Sequence, residues 1–546
     1  MVSAADTHEV FNQSPPFAGI NLFSSDPALG ALVEGVPQVV VDQLNEHGAQ
    51  WGTPETFELG RIANAQPPTL RSFDASGVRI DSIEFHPAYH ALMRRSVASG
   101  LQCSVWDASG EETNVRGVAR AARLYMTAEV EAGHLGPITM TNAAVAALAH
   151  APALADVWLP RIRTRRYDSS QRALNAKAGA LLGVGFTEKQ GGSDLGSNTS
   201  AAVESEDGMW RITGHKWFLS APASDAFLVL AQTVDGLTCF LVPRYLQDGA
   251  LNGIRLMRLK DKLGNRSNAT AEAEFDHSAA WLVGESGRGF TAIADMTTLT
   301  RLDAAVISAG MMRLALAEAV HHSRYRKTGG HVLIDQPLMT RVLADMALDT
   351  VAAAALSFRL AESYDRAADD PAEAAFARLM TPAVKYWVTK VAPSMIGEAM
   401  ECLGGNGYVE ESRLPRLYRE APANSMGDGD GNVMALEVMR VLRKSSEPLE
   451  VVLANIEDAL GGTAKSTLNV LRAATAVALA DEGSARILAE QLAMTVAAAS
   501  LRRRFPSVVA DAFLETRLGK PWRSTYGMLD SRFDARAFVN YLCPEG

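Results

Sequence analysis

The chain is poor in cysteine: Cys103, Cys239, Cys402 and Cys543 are scattered through 546 residues and form no Cys-x-x-Cys pair. That spacing excludes a zinc ribbon and speaks against a disulfide framework, so a reducing, cytoplasmic setting is expected. Long apolar runs are missing as well. No continuous apolar run approaches 18 residues, and Met1 is not followed by a basic segment and an apolar core, so neither a membrane span nor a standard export signal is expected. Positive charge is not in excess. The net charge of −10 argues against a general affinity for nucleic acid or anionic membranes, while leaving room for a local basic patch. Several catalytic fingerprints are absent too. No Gly-x-Gly-x-x-Gly follows a strand, and there is no Walker A and no Gly-x-Ser-x-Gly, so a nicotinamide-binding Rossmann unit, a P-loop enzyme and a serine hydrolase are unsupported. His86-Pro-Ala-Tyr-His90 has metal-ligand spacing but lacks the Glu of a metalloprotease, and a structural pair is the simpler reading.

What is present is an ordinary globular composition, 47% hydrophobic and 21% charged, in a chain too long for one core. Four segments are expected: 1–182, 183–288, 289–446 and 447–546. The first carries helical spacing at Val115–Ala132 and Pro137–Ala151. In the second, Trp210–Ile212, Ala226–Thr233 and Leu237–Val242 are short aliphatic and aromatic runs. Asp207-Gly208, Thr213-Gly214 and Asp235-Gly236 punctuate them, which predicts antiparallel hairpins. Ala271–Phe275 alternates like a half-buried strand. From Gly289 the pattern is helical, with alanine-rich amphipathic runs at Ala344–Ala361 and Ala372–Leu403 typical of a bundle. The last segment is helical at Val451–Leu460, Ser466–Ala480 and Ala485–Leu501. It holds 11 Lys+Arg against 12 Asp+Glu, with basic residues clustered at Arg502, Arg503 and Arg504, then Arg517, Lys520 and Arg523.

Four stretches can carry chemistry. Gly183-Val-Gly-Phe-Thr-Glu-Lys-Gln-Gly-Gly-Ser-Asp194 offers close backbone approach, free N–H groups and hydroxyls, the means by which a loop holds a phosphate or a flavin edge. A plain turn with Ser193 capping competes with that reading. Gly214-His-Lys-Trp-Phe-Leu-Ser220 places aromatics and a hydroxyl on a strand after the Thr213-Gly214 turn; alone it is a core strand. Gly404-Gly-Asn-Gly-Tyr408 follows a long helix and alone is a helix C-terminus. Asn424-Ser-Met-Gly-Asp-Gly-Asp-Gly-Asn432 sets two carboxylates in a glycine-rich loop before a helix. A calcium loop starting at Asp428 would need Gly at Val433 and Glu at Met439, so metal binding is rejected.

In this order and spacing the stretches resemble the acyl-CoA dehydrogenase superfamily. Thr187-Glu-x-x-Gly-Gly-Ser-Asp194 is similar to its first FAD motif, whose Thr and Ser contact the isoalloxazine and the pyrophosphate. Lys216-Trp-Phe-Leu-Ser220 resembles the second, with Phe218 in the flavin-stacking place and Ser220 in that of the Thr facing N5. Arg326-Lys-Thr-x-Gly330 resembles Arg-x-x-Phe-Gly, which reaches the FAD of a neighbouring subunit. Gly404-Gly-Asn-Gly-Tyr408 matches Gly-Gly-x-Gly-Tyr, and the Asp428-Gly429 loop stands where Tyr-Glu-Gly-Thr carries the base. Within the superfamily the AidB-type, alkylation-response branch is most similar, through Phe11-Asn-Gln13, Phe85-His-Pro87, Pro137-Ile-Thr-Met-Thr141, Leu259-Lys-Asp-Lys-Leu-Gly-Asn-Arg-Ser-Asn-Ala269 and Leu414-Pro-Arg-Leu-Tyr-Arg-Glu420. These matches cover residues 1 to about 445.

The resemblance implies an α+β fold: an N-terminal helical domain, a central antiparallel β-barrel domain, a C-terminal four-helix bundle and an extra C-terminal helical domain. It implies a homotetramer with one FAD per subunit and FAD sites shared between subunits. Phe186, Thr187, Gly192, Ser193, Phe218, Leu219, Ser220, Arg326, Thr328, Gly405, Gly429, Asp430 and Asn432 are the implied cofactor contacts. Asp428 is the implied base, its pKa poised by partial burial beside the flavin, and Asp430 is the rival. Three departures stand out: Asp428 replaces the usual Glu, Gly427 replaces the preceding aromatic, and Gly329 replaces a Phe. A carboxylate one C–C bond shorter sits ~1.5 Å further back, in a pocket widened by Gly427, which suits a substrate other than a simple straight-chain acyl-CoA. The expected reaction removes an acidified α-proton from an acyl thioester or similar small molecule and delivers hydride to flavin N5. An FAD oxidase or monooxygenase acting on a non-CoA substrate is a second reading. An AidB-like DNA-binding protein is a third, disfavoured by the near-neutral tail.

Overall fold

The computed structural model describes residues 7–107, 114–519 and 533–544, so Lys520 and Arg523 lie outside the described residues. Two compact units form. The first comprises Glu55–Ala304 and Met426–Val433, and the second comprises Met1–Pro54, Ala305–Ser425 and Met434–Gly546.

In the first unit a hairpin, β1 (Thr69–Phe73) and β2 (Arg79–Glu84), precedes a seven-stranded sheet. Its strands are β3 (Leu182–Gly185), β4 (Ala201–Glu204), β5 (Trp210–Ser220), β6 (Ala226–Thr233), β7 (Gly236–Pro243), β8 (Ile254–Leu259) and β9 (Thr270–Val283). The order is β3-β5-β4-β6-β7-β9-β8, and extra β3–β6 and β5–β9 pairings curl the sheet into a barrel-like closure. The expected all-antiparallel pattern needs one correction: β6 runs parallel to both β3 and β4. A second correction concerns Thr213-Gly214, which is not a turn. β5 runs straight through it with a register shift against β9 between Ile212 and Gly214. A Cβ at position 214 would stand 2.6 Å from the Ser200 Cα, so glycine is needed for a close strand approach rather than for reversal.

The continuous apolar run of β6 has a simple cause. Phe227, Val229 and Ala231 pack inside the barrel with Phe240 and Phe275. Ala226, Leu228 and Leu230 pack outward with Ala144, Leu148 and Trp158 from the helices Leu135–Leu148 and Pro152–Ile162. Both faces are buried, so alternation disappears.

The second unit is helical. Pro337–Arg366 and Pro371–Cys402 are 30 and 32 residues long, beside Glu447–Leu460 and Ala485–Arg504. Along Pro337–Arg366 every residue from Leu343 to Ala361 is buried, which marks a central bundle helix covered on all sides. The small side chains of its Ala352–Ala355 run allow neighbouring helices to approach closely. Gly289–Tyr325 is long and apolar enough to cross a membrane, but 89% of its qualifying 18-residue window is buried inside the protein. It is a core helix. Arg517 does not belong to a basic surface cluster. Its guanidinium is buried between Asp345 (2.6 Å) and Asp349 (2.8 Å) and locks the chain after Phe513 to the bundle. A short hairpin, β10 (Lys327–Thr328) and β11 (His331–Val332), projects after the long helix. Its turn residues Gly329 and Gly330 have φ of 58° and 85°. Positive φ at both is a type I′ requirement, and it gives the Gly329 departure a backbone reason.

Candidate flavin site

Thr187 leaves the end of β3, and its carbonyl accepts the Trp217 N–H at 2.9 Å. Val184 pairs with Ser220, and a Cβ at Gly183 would stand 2.4 Å from the Ser220 carbonyl oxygen. The two glycine- and aromatic-containing stretches are therefore one surface, spliced along β3 and β5. A Cβ at Gly192 would stand 2.9 Å from the Thr187 Oγ1, so glycine there lets the loop fold down onto Thr187.

Beneath that surface lies a residue to which the sequence reading attached no role. Glu188 is fully buried and accepts five hydrogen bonds. They come from Lys216 Nζ (2.7 Å), Ser200 N (3.1 Å), Thr199 N (2.7 Å), Thr199 Oγ1 (3.0 Å) and Gln190 Nε2 (2.7 Å). Lys216 is equally buried and also donates to the Leu230 carbonyl at 2.7 Å. Burial alone would raise the Glu188 carboxyl, but hydrogen bonds from Lys216 and the Thr199 amide, with the Lys216 charge, hold it well below the ordinary carboxylate range. Burial pulls Lys216 down to about 8 against the opposing pull of Glu188. The signal for this pair was a Lys in an otherwise apolar strand and a Glu beside Thr187.

The half-buried hydroxyls of Thr187 and Ser220 have no hydrogen-bond partner among the described residues, and Ser193 is exposed. Phe218 is 43% exposed. Trp217 lies edge-on to it at 6.3 Å, and the Lys260 ammonium sits 3.2 Å and 4.8 Å from the two ring centroids. Such cation–π contacts orient the rings. Leu219 is 0% exposed inside the barrel core, so only its main chain is left for a ligand. Phe186 packs against the outer core, and its carbonyl accepts Asn198 Nδ2 at 2.9 Å.

The base loop belongs to the same unit, through Met426–Val433. Asp428 adopts φ of 53° and Gly429 φ of 101°. Arg301 Nε donates to the Asp428 carbonyl at 3.0 Å. Asp430 Oδ1 accepts the N–H groups of Asn432 (2.9 Å) and Val433 (3.0 Å) and so caps the helix Gly431–Lys444, a structural duty that weakens it as the rival base. The expected partial burial of Asp428 is not met within the chain, where its side chain is exposed. Gly427 and Gly429 on either side offer no side-chain cover. In the second unit, half-buried Arg326 immediately precedes β10, Thr328 ends it, and Gly405 opens the short helix Gly405–Tyr408. The tight approach in that glycine run falls at Gly407, where a Cβ would stand 2.2 Å from the Met400 carbonyl oxygen, whereas Gly405 has open space.

Three family models match in sequence order: the adaptive response protein AidB N-terminal domain over residues 12–169, the acyl-CoA dehydrogenase middle domain over 183–278 and the acyl-CoA dehydrogenase C-terminal domain over 287–443. A putative acyl-CoA dehydrogenase, AidB, from Escherichia coli is 50% identical over 81% of this chain and 81% of its own length. The chain belongs to the acyl-CoA dehydrogenase superfamily, in its AidB branch. Acyl-CoA dehydrogenase family member 11 of Caenorhabditis elegans is 32% identical over 83% of this chain and 75% of its own length. The solved structure of Caenorhabditis elegans ACDH-11 in complex with C11-CoA superposes with a TM-score of 0.83 at 27% identity, covering 100% of this chain and 94% of that one.

Members of this superfamily are FAD-dependent oxidoreductases, and so is this protein. Its own residues are of a kind that fits the cofactor: the unpartnered hydroxyls of Thr187 and Ser220 could supply hydrogen bonds, exposed Phe218 could supply a stacking face, and the glycine loop to Ser193 could supply backbone N–H groups. Thr187 directly precedes Glu188 of the buried Glu188–Lys216 pair.

That pair makes a pH-dependent prediction. A carboxyl held low in the fold adds stability above the unfolded carboxylate range, and that stability is lost as pH falls toward its folded value. Denaturation of the FAD-loaded protein at pH 7 and at pH 4 should show the wild-type advantage over Glu188→Gln shrinking on acidification. An advantage that is constant or grows toward acid contradicts the assignment.

Proposed function

We propose that Asp428 is the general base that removes an acidified α-proton from an acyl thioester, in a homotetrameric, cytoplasmic enzyme whose FAD sites are shared between subunits. The carrying observation is the backbone of Asp428. A non-glycine residue at φ of 53° sits in a sparsely populated region that Asp tolerates better than most residues. Strain of this kind persists where the surroundings over-determine it, and it clusters at active sites. Here Arg301 on the Asp428 carbonyl and the Asp430 cap over-determine it from both sides. The Asp428 carboxylate has no hydrogen bond or ion pair among the described residues, which leaves both oxygens for a substrate proton.

FAD, when bound, supplies the two-electron acceptor for the hydride that leaves with the proton. Thr187, Ser193 and Ser220 would hold and orient it and Phe218 would cover its ring, while Arg326 and Thr328 would reach the phosphate and adenine end of a neighbouring subunit's FAD, with Gly405 as a further backbone contact. Gly429 and Asn432 flank the base and complete the contact set. The thioester class is supported by a relative solved with C11-CoA. The shorter Asp428 beside Gly427 favours an acyl group bulkier near the α-carbon than a straight chain. In Asp428→Asn, size and loop conformation are kept and the base is lost. The variant should retain FAD while acyl-CoA-driven flavin reduction falls by about 10²–10⁴, the usual worth of a positioned base. Reduction at the wild-type rate contradicts the role.

The tail gives a specific reason against DNA as the principal ligand. Arg502 pairs with Asp511, Arg503 with Asp458 at 2.9 Å, and Arg504 with Glu362 at 2.5 Å. Each arginine would have to give up its carboxylate before neutralising a phosphate, which lowers the net gain from counterion release. Fluorescence anisotropy with labelled duplex DNA at physiological salt should show no submicromolar complex. A salt-sensitive submicromolar complex that is lost in Arg502→Ala/Arg503→Ala/Arg504→Ala overturns this.

A further inference from the structure

The segment from Asn12 to Phe17, which enters neither helix nor strand, is bound by six residues of the second unit. Asn12 makes the closest set of contacts. Its side chain behaves as a peptide group, donating from Nδ2 to the Lys327 carbonyl at 2.9 Å and accepting the Lys327 N–H on Oδ1 at 2.7 Å. Its own carbonyl accepts Arg326 Nη1 at 2.8 Å. Three further bonds extend the attachment: on the long helix His321 Nε2 bonds the Pro15 carbonyl at 2.8 Å and His322 Nδ1 lies 3.4 Å from Ser14 Oγ, and Arg413, just before the helix Leu414–Met426, donates to the Phe17 carbonyl at 2.6 Å. Gln13 Oε1 accepts Asn406 Nδ2 at 3.5 Å in the glycine run.

Asn12 sits at φ of 57°, a conformation that Asn tolerates. That conformation is needed if one residue is to present its side-chain amide and its main-chain carbonyl to consecutive residues. Arg326 is the last residue before β10, where the helix Gly289–Tyr325 has ended. A guanidinium there has rotamer freedom to lose before it can hold a phosphate. Capture of Nη1 by Asn12 leaves Nε and Nη2 without partners among the described residues, and those are the donors of a bidentate fork.

We propose that Asn12 is a positioning residue for the cofactor: it pre-sets the Arg326 guanidinium and the Lys327 backbone so that the remaining Arg326 donors meet an FAD phosphate. This rests on the reading of Arg326 as a phosphate holder. Asn12→Gly keeps the positive φ accessible and removes only the side chain. The contact is half-exposed and remote from the core, so folding is preserved.

Four full-length proteins decide it: wild type, Asn12→Gly, Arg326→Ala and the double variant. FAD affinity is read from flavin fluorescence on titrating apoprotein, and the apoprotein's thermal midpoint is read alongside. Asn12→Gly should bind FAD about 10- to 100-fold more weakly, the effect of one or two lost preorganising hydrogen bonds. Its apo midpoint should stay at the wild-type value, and in the Arg326→Ala background the Asn12→Gly loss should vanish, because the two residues act as one unit. Asn12→Gly that binds FAD as wild type, or losses that add in full, overturns the inference while leaving Arg326 as a phosphate holder. An Arg326→Ala protein with wild-type FAD affinity overturns the Arg326 reading and the inference with it.

Discussion

A single buried carboxylate organises the flavin-facing surface. Glu188 is fully buried, where an unpaired ion would be expelled or neutralised. It is tolerated because every acceptor site is used: Lys216 from β5, the Thr199 and Ser200 amides from the start of β4, and Gln190 from its own loop. A buried ion pair is weak evidence for stability in itself, since desolvation offsets much of the Coulomb gain. Its clearer consequence is geometric. The five bonds hold the Thr187–Ser193 loop against β5, so that Thr187, Ser220 and the exposed Phe218 share one face. The fully satisfied network makes that arrangement single-valued.

Much of the fold was readable because its cause is local. The long alanine-rich helices, the strand Ala226–Thr233 and the glycine turns reflect burial periodicity and positive φ, both visible in the residues themselves. Features set by distant partners were not readable. Thr213-Gly214 has the composition of a hairpin turn, but Ser200 approaches it from another strand and makes it a bulge. Arg517 looked like part of a basic cluster until Asp345 and Asp349, some 170 residues earlier, were seen to bury it. The candidate site divides the same way. Thr187, Phe218 and Ser220 were picked out by local motif spacing alone, whereas the contacts of Glu188, Arg301 and Asn12 reach across 12 to 315 residues.

The base loop shows how a small sequence change alters a reaction space. Glycines at 427 and 429 free the backbone for an unusual turn and strip the loop of side-chain cover. Asp430 terminates the turn by capping the next helix, and Arg301 fixes the carbonyl of Asp428, the proposed base. Position is thus controlled through the main chain, while the Asp428 carboxylate keeps its own rotamers. A short, well-anchored acid beside a space left by a missing aromatic is suited to a wide α-carbon, and that expectation follows from geometry without reference to any one substrate.

The account stands or falls on whether a substrate carbon–hydrogen bond beside an acidifying carbonyl breaks to reduce the flavin. Anaerobic stopped-flow mixing of the FAD-loaded protein with straight-chain and branched acyl-CoAs, amines and nitroalkanes measures this directly. The account predicts bleaching of oxidised flavin absorbance by an acyl-CoA, fastest with a branched acyl group and slowed by deuterium at the α-carbon. Flavin that stays oxidised with every thioester, yet is reduced by an amine, a nitroalkane or an external nicotinamide donor, would contradict it.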